Sequence, residues 1–160
     1  MDMTSGSQMD ESSARKLALS ATVHCLTGCG IGEVLGLVIS TILGWHDLPS
    51  ILLAILLAFI FGYGLTIRSL LAGGVAFGQA LRLALASDTL SIVTMEIVDN
   101  AIVLLIPGAM DAGLADLLFW GSLAVSLIIA FVVAFPVNLW LIHRGRGHAV
   151  IHGTAHHEGH

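Results

Sequence analysis

The sequence predicts an all-α membrane protein, a bundle of four transmembrane helices. Three observations carry that prediction: scarce charge, apolar segments of spanning length, and basic residues confined to one side. Hydrophobic residues make up 56% of the 160 residues and charged residues only 11%, against about 25% charged in soluble domains. A soluble fold of this length would lack the polar side chains to cover its surface. Segments 17–43, 48–67, 89–106 and 116–142 each supply the roughly 17–25 mostly apolar residues that a spanning helix needs. Arg15 and Lys16 precede the first, Arg68 and Arg82 lie between the second and third, and Arg144 and Arg146 follow the fourth. Four spans put all six on one side, which the positive-inside rule makes cytoplasmic together with both termini.

The elements follow in order. Residues 1–16 are polar and net acidic, and read as a disordered cytoplasmic leader. The apolar run after them is too long for a cleaved signal peptide. Gly44 to Pro49 form a tight turn, with Pro49 suited to the first turn of the second helix. Between the second and third helices, FGQALRLALAS reads as a short amphipathic helix lying at the membrane interface. Ser87 and Asp88 then offer an N-cap to the third helix. A glycine- and proline-containing loop carries Asp111 and leads to the fourth helix, where Pro136 favours a kink. Asn138 there offers an amide for an interhelical hydrogen bond. Residues 17–147 thus form one membrane domain, and 148–160 a histidine-rich cytoplasmic tail, able to bind transition metals weakly or simply solvated.

Several functions are excluded. A net charge of −5 with six basic residues leaves no surface for nucleic acid. Cys25 and Cys29, one helical turn apart, are not a secreted disulfide framework. No GxSxG, phosphate loop or HExxH motif occurs, so an enzyme is not expected.

The chemistry concentrates on two helices. On the first, Cys25, Cys29 and Glu33 form one stripe at four-residue spacing, with His24 beside it. Gly28, Gly32 and Gly36 form an adjacent small-residue stripe that admits close helix packing, within or between subunits. The polar stripe therefore faces protein. On the third helix, Glu96 and Asn100 are four apart, as are Met95 and Asp99. Helices one and three run parallel, so Glu33, Glu96 and Asp99 share a depth near the bilayer centre. A carboxylate there costs roughly 2.5–3.5 kcal/mol on insertion scales, and no basic residue lies within a span to pair with it. Either the acids are neutral and hydrogen-bonded, or a cation neutralises them. His24, Cys25, Cys29 and Met95 are soft ligands and the acids hard ones, although cysteines also pack well as small apolar residues.

HCLTGCGIGE, SDTLSIVTMEI and FPVNLWLIHRG, taken together, resemble an uncharacterised bacterial integral-membrane family, a domain of unknown function (DUF4396). The resemblance runs from about Val23 to Gly147. It implies that His24, Cys25, Gly28 and Cys29 match the family's His-Cys-x-x-Gly-Cys motif, with Glu33 and Glu96 as its acidic positions. It also implies a bacterial cytoplasmic membrane and a connection with copper handling. Where other members are Met-rich and aromatic, this chain has Val98, Asp99 and Asn100, which favours a harder or mixed cation.

The expected function is binding and translocation of a metal cation, copper or another transition metal, between helices one and three. His24, Cys25, Cys29, Glu33, Met95, Glu96, Asp99 and Asn100 are the expected ligands. Four short helices enclose little volume, so a homo-oligomer is expected to complete the pore. Two alternatives use the same residues: a membrane metal chaperone, sensor or assembly subunit that does not transport, and a proton relay through the carboxylates.

Overall fold

The computed structural model describes residues 11–153, with side chains to Arg144. Four helices account for most of them: α1 Glu11–Leu43, α2 Leu48–Ala72, α3 Phe77–Leu105 and α4 Leu117–Gly153. No strand occurs among the described residues. The helices alternate in direction. Each packs on its sequence neighbours, α4 closes back on α1, and α1 also meets α3 across the diagonal. Three helices are long and apolar enough to cross a membrane: α1, α2 and α4 as far as Arg144. The protein is therefore an all-α membrane protein.

Short turns enforce the alternation. After α1 the chain reverses through Gly44 at φ 67° and Asp47 at φ 53°, left-handed values that glycine adopts freely and aspartate tolerates. Pro49 sits in the first turn of α2, where the missing N–H would have had no helical partner. Asp116 precedes α4 and accepts a hydrogen bond from the Gly113 N–H at 2.8 Å.

The closest contact in the bundle is between α1 and α2, and glycine makes it. A Cβ on Gly28 would lie 2.7 Å from the Gly62 backbone, and one on Gly36 2.7 Å from the Ala54 Cα. One on Gly32 would strike the Ala58 backbone. The small-residue stripe is thus spent within the chain, not held open for a second copy. Gly62 in turn receives Ile92 of α3, whose Cδ1 would lie 2.7 Å from an added Cβ. Across the α1–α4 seam, the Asn138 Nδ2 donates to the Thr22 Oγ1 at 2.8 Å, and Thr22 itself donates to the Ala18 carbonyl. This is the interhelical amide bond that Asn138 was expected to provide, and α4 runs through Pro136 unbroken.

Three boundaries differ from the sequence reading. The interfacial helix is not a separate element: FGQALRLALAS is the first part of α3, which continues without interruption to Leu105. Consequently Ser87 and Asp88 are interior to the helix, and the Ser87 hydroxyl bonds the Leu83 carbonyl one turn back at 2.8 Å. An apolar outer face and a small-residue inner face (Ala80, Ala84) suit the segment for burial against the bundle. The leader is shorter than expected, because α1 begins at Glu11, with Arg15 bonding Glu11 one turn away at 3.3 Å. Residues 1–10 lie outside the described residues. Of the histidine-rich tail, 148–153 belong to α4 and 154–160 lie outside the described residues.

Candidate functional site

The α1–α3 diagonal carries a line of polar side chains through the bundle. α3 directs Asp88, Ser91, Met95, Glu96 and Asp99 to one face at three- and four-residue spacing, and all five are buried. α1 opposes them with Cys25 and Cys29, both almost fully buried, and with Glu33. Counted from Leu43 and Leu105, Glu33 and Glu96 each lie about 15 Å from the loop end of the bundle, at the common 1.5 Å rise. The shared depth read from the sequence is present.

The acids form one group. The carboxyls of Glu33 and Asp99 lie within hydrogen-bonding reach of each other, and Glu96 is close enough to act electrostatically on Glu33. Asn100 fixes Glu96: its Nδ2 donates to the Glu96 carbonyl at 2.8 Å and to its Oε2 at 3.4 Å. The Cys29 thiol reaches Glu96 from the other side. One buried oxygen on each of Glu33, Glu96 and Asp99 has no hydrogen-bond partner. Among the described residues the ion pairs are Glu11 with Arg15 and with His143, so no cation of the chain meets these acids. An unpaired buried carboxylate is costly, and two close carboxyls require a positive charge between them, either a proton or a metal ion.

A cavity of about 510 Å³ reaches the acids from the loop end. His46 and Asp47 of the α1–α2 turn and Asp111 of the α3–α4 loop line its mouth, and Glu33, Glu96, Asp99 and Asn100 its floor.

Beyond the floor the character changes. Cys25, Cys29, Ile92 and Met95 pack together as a core with Ala58, Ala130 and Ala134. Both cysteines are free thiols. Met95 thus lies with the cysteines and away from the cavity. His24 stands apart from the expected ligand group: its ring is half-buried, and Nδ1 lies 2.7 Å from the Ser20 carbonyl. A carbonyl only accepts, so Nδ1 carries the proton and a neutral ring keeps Nε2 free. The charged group nearest this level is Asp88, which the sequence reading took for a helix cap. The signal was present, since Asp88, Ser91 and Met95 extend the inward stripe of α3 by two turns towards the termini.

Among the described residues no group of three or more His, Cys, Asp or Glu converges to hold a metal ion. The ligand set expected as one site is instead strung along the seam. The model of one family, described as a domain of unknown function (DUF4396), matches residues 15–147, and the chain belongs to that family. No curated protein and no solved structure matches the chain.

Proposed function

We propose that this protein passes a cation, foremost a divalent transition-metal ion, across a membrane along the α1–α3 seam. The observation that carries the proposal is the triad of Glu33, Glu96 and Asp99. At the floor of an open cavity, with Glu96 and Asp99 buried and Glu33 half-buried, each has a buried oxygen without a hydrogen-bond partner, and no Lys or Arg among the described residues pairs with them. A passing ion must be held strongly enough to enter and loosely enough to leave. The cavity presents oxygen ligands first, which favours ions such as Zn²⁺ or Mn²⁺ over Cu(I), with the thiols behind them.

In this reading α3 also spans the bilayer, although Arg82, Asp88, Glu96 and Asp99 make it less apolar than the others. Two features support a fourth span. From Asp88 onward the exposed large residues of α3, including Leu90, Val93, Ile97 and Leu104, are apolar, while its acids point inward; the exposed Gln79 and Arg82 lie in its first two turns. Exposed Trp120 and Trp140 on α4 mark two levels about 30 Å apart along a helix axis, the thickness of the hydrocarbon layer. Tryptophan favours both borders of that layer. Basic residues then assign the helix-terminal end to the cytoplasm of a bacterial cell, and the cavity opens outward.

A second reading has one specific support. The closeness of Glu33 and Asp99 suits a shared proton as well as a metal ion, and a proton relay needs no convergent cluster. Liposomes containing the purified protein, loaded with a metal indicator and a pH indicator, separate the readings. Zn²⁺ or Mn²⁺ entry that Glu33→Gln abolishes supports metal passage. Proton entry without metal entry, equally lost in Glu33→Gln, supports the relay. Bound metal without entry of either ion assigns the protein to the non-transporting class of chaperones and sensors.

A further inference from the structure

Asp88 has no role in the site described so far, yet it is 4% exposed and its Oδ2 has no hydrogen-bond partner. Its other oxygen accepts the Ser87 hydroxyl at 2.8 Å. The Thr66 hydroxyl reaches the carboxyl from α2. Ser91, one turn further along α3, is fully buried, and its hydroxyl also has no hydrogen-bond partner. The Cys25 thiol lies within reach of Ser91, and His24 is within electrostatic range of Asp88. Donors from α1, α2 and α3 thus gather at one level. No Lys or Arg among the described residues pairs with Asp88. A carboxylate buried in this way calls for a positive charge.

Asp88 and Glu96 are eight residues apart on one helix, about 12 Å at the helical rise. Between their levels lies the plug of Cys25, Cys29, Ile92 and Met95, with Ile92 seated on Gly62. The arrangement is two polar levels separated by a packed apolar stretch that carries sulfur atoms. We propose that Asp88, with the hydroxyls of Ser91 and Thr66 and with His24 beside it, forms a second cation-binding station on the terminal side of this plug. It extends the pathway proposed above and rests on it. The carboxylate and hydroxyl oxygens and the free Nε2 of His24 fit a divalent ion that accepts oxygen and nitrogen ligands, such as Zn²⁺.

The test is equilibrium Zn²⁺ binding to the full chain in detergent, compared among wild type, Asp88→Asn and Asp99→Asn. Tail histidines bind equally in all three, so differences report the two stations. The proposal expects each variant to lose one equivalent relative to wild type, and Ser91→Ala to weaken the Asp88 equivalent about tenfold, as loss of a supporting ligand does elsewhere. An Asp88→Asn chain with wild-type stoichiometry, while Asp99→Asn loses one equivalent, overturns the second station and leaves the first reading standing. Unchanged stoichiometry in both variants overturns the metal reading as well. Should Asp88→Asn fail to fold, Ser91→Ala and Thr66→Val carry the test, and unaltered Zn²⁺ affinity in both overturns the station.

Discussion

Single residues decide how the seam is held. Asn138 and Thr22 tie α4 to α1 through a buried 2.8 Å bond in a stretch otherwise packed by small apolar side chains. Interhelical hydrogen bonds in membrane proteins contribute about 0.6–2 kcal/mol. Asn138→Ala should therefore lower the stability of the detergent-solubilised protein by that amount, read from the shift of its thermal or denaturant midpoint. Asn100 has a different duty, since both of its donor contacts go to Glu96. Most of these residues were legible in the sequence, because a buried carboxylate or amide in an apolar helix stands out by its cost. Asp88 was not legible as buried, because Ser-Asp before an apolar run also has the composition of a helix cap. Helical periodicity counted back from Asp99 gives the better answer for it. His24 was placed with the cysteines by adjacency in sequence. Its ring lies one position round the helix, about 100° from Cys25, on the side of Asp88.

At the scale of the elements, the α1–α2 interface and the continuity of α3 can be tested separately. α1 and α2 approach backbone to backbone at Gly32 and Ala58, where an added methyl group meets main-chain atoms that cannot rotate aside. Gly32→Ala should cost about 1–3 kcal/mol by overpacking. Gly64→Ala, with nothing within 4 Å of the new methyl, should instead be neutral or stabilising by up to about 1 kcal/mol through helix propensity. Unfolding midpoints of the two variants in one detergent check the contrast. α3 carries the second claim, that Phe77–Leu105 is one helix. If Asp88 capped a new helix, proline at position 89 would occupy a favoured first-turn site. In the continuous helix, Thr89→Pro removes an interior hydrogen bond and should cost about 3 kcal/mol or more. It also removes the bond between Thr89 and Tyr63 at 2.7 Å. Loss of folded protein for Thr89→Pro supports continuity, and an unaffected variant contradicts it. The helix start expected at Ser87 and Asp88 does not occur, because apolar run length sees only lipid-like stretches. Arg82 and Asp88 interrupt hydropathy without interrupting helical hydrogen bonding.

For the whole molecule, the all-α architecture and the turn at Pro49 followed from apolar lengths and turn residues, since lipid leaves the backbone few other options. The cavity at the loop end did not follow. The loops after α1 and α3 fold over the bundle end and line a cavity within one chain, a tertiary feature that no periodicity reports. That cavity leads to the acids below it and to the polar seam beyond. In the proposed function a cation enters by Glu33, Glu96 and Asp99. The most direct measurement is the initial rate of Zn²⁺ entry into liposomes containing the full chain, compared with Glu33→Gln and with Asp47→Asn at the mouth. Glu33→Gln should lose at least tenfold, the scale of about 1.4 kcal/mol or more, and Asp47→Asn should change by less than threefold. Wild-type entry rates in Glu33→Gln would contradict entry by these acids.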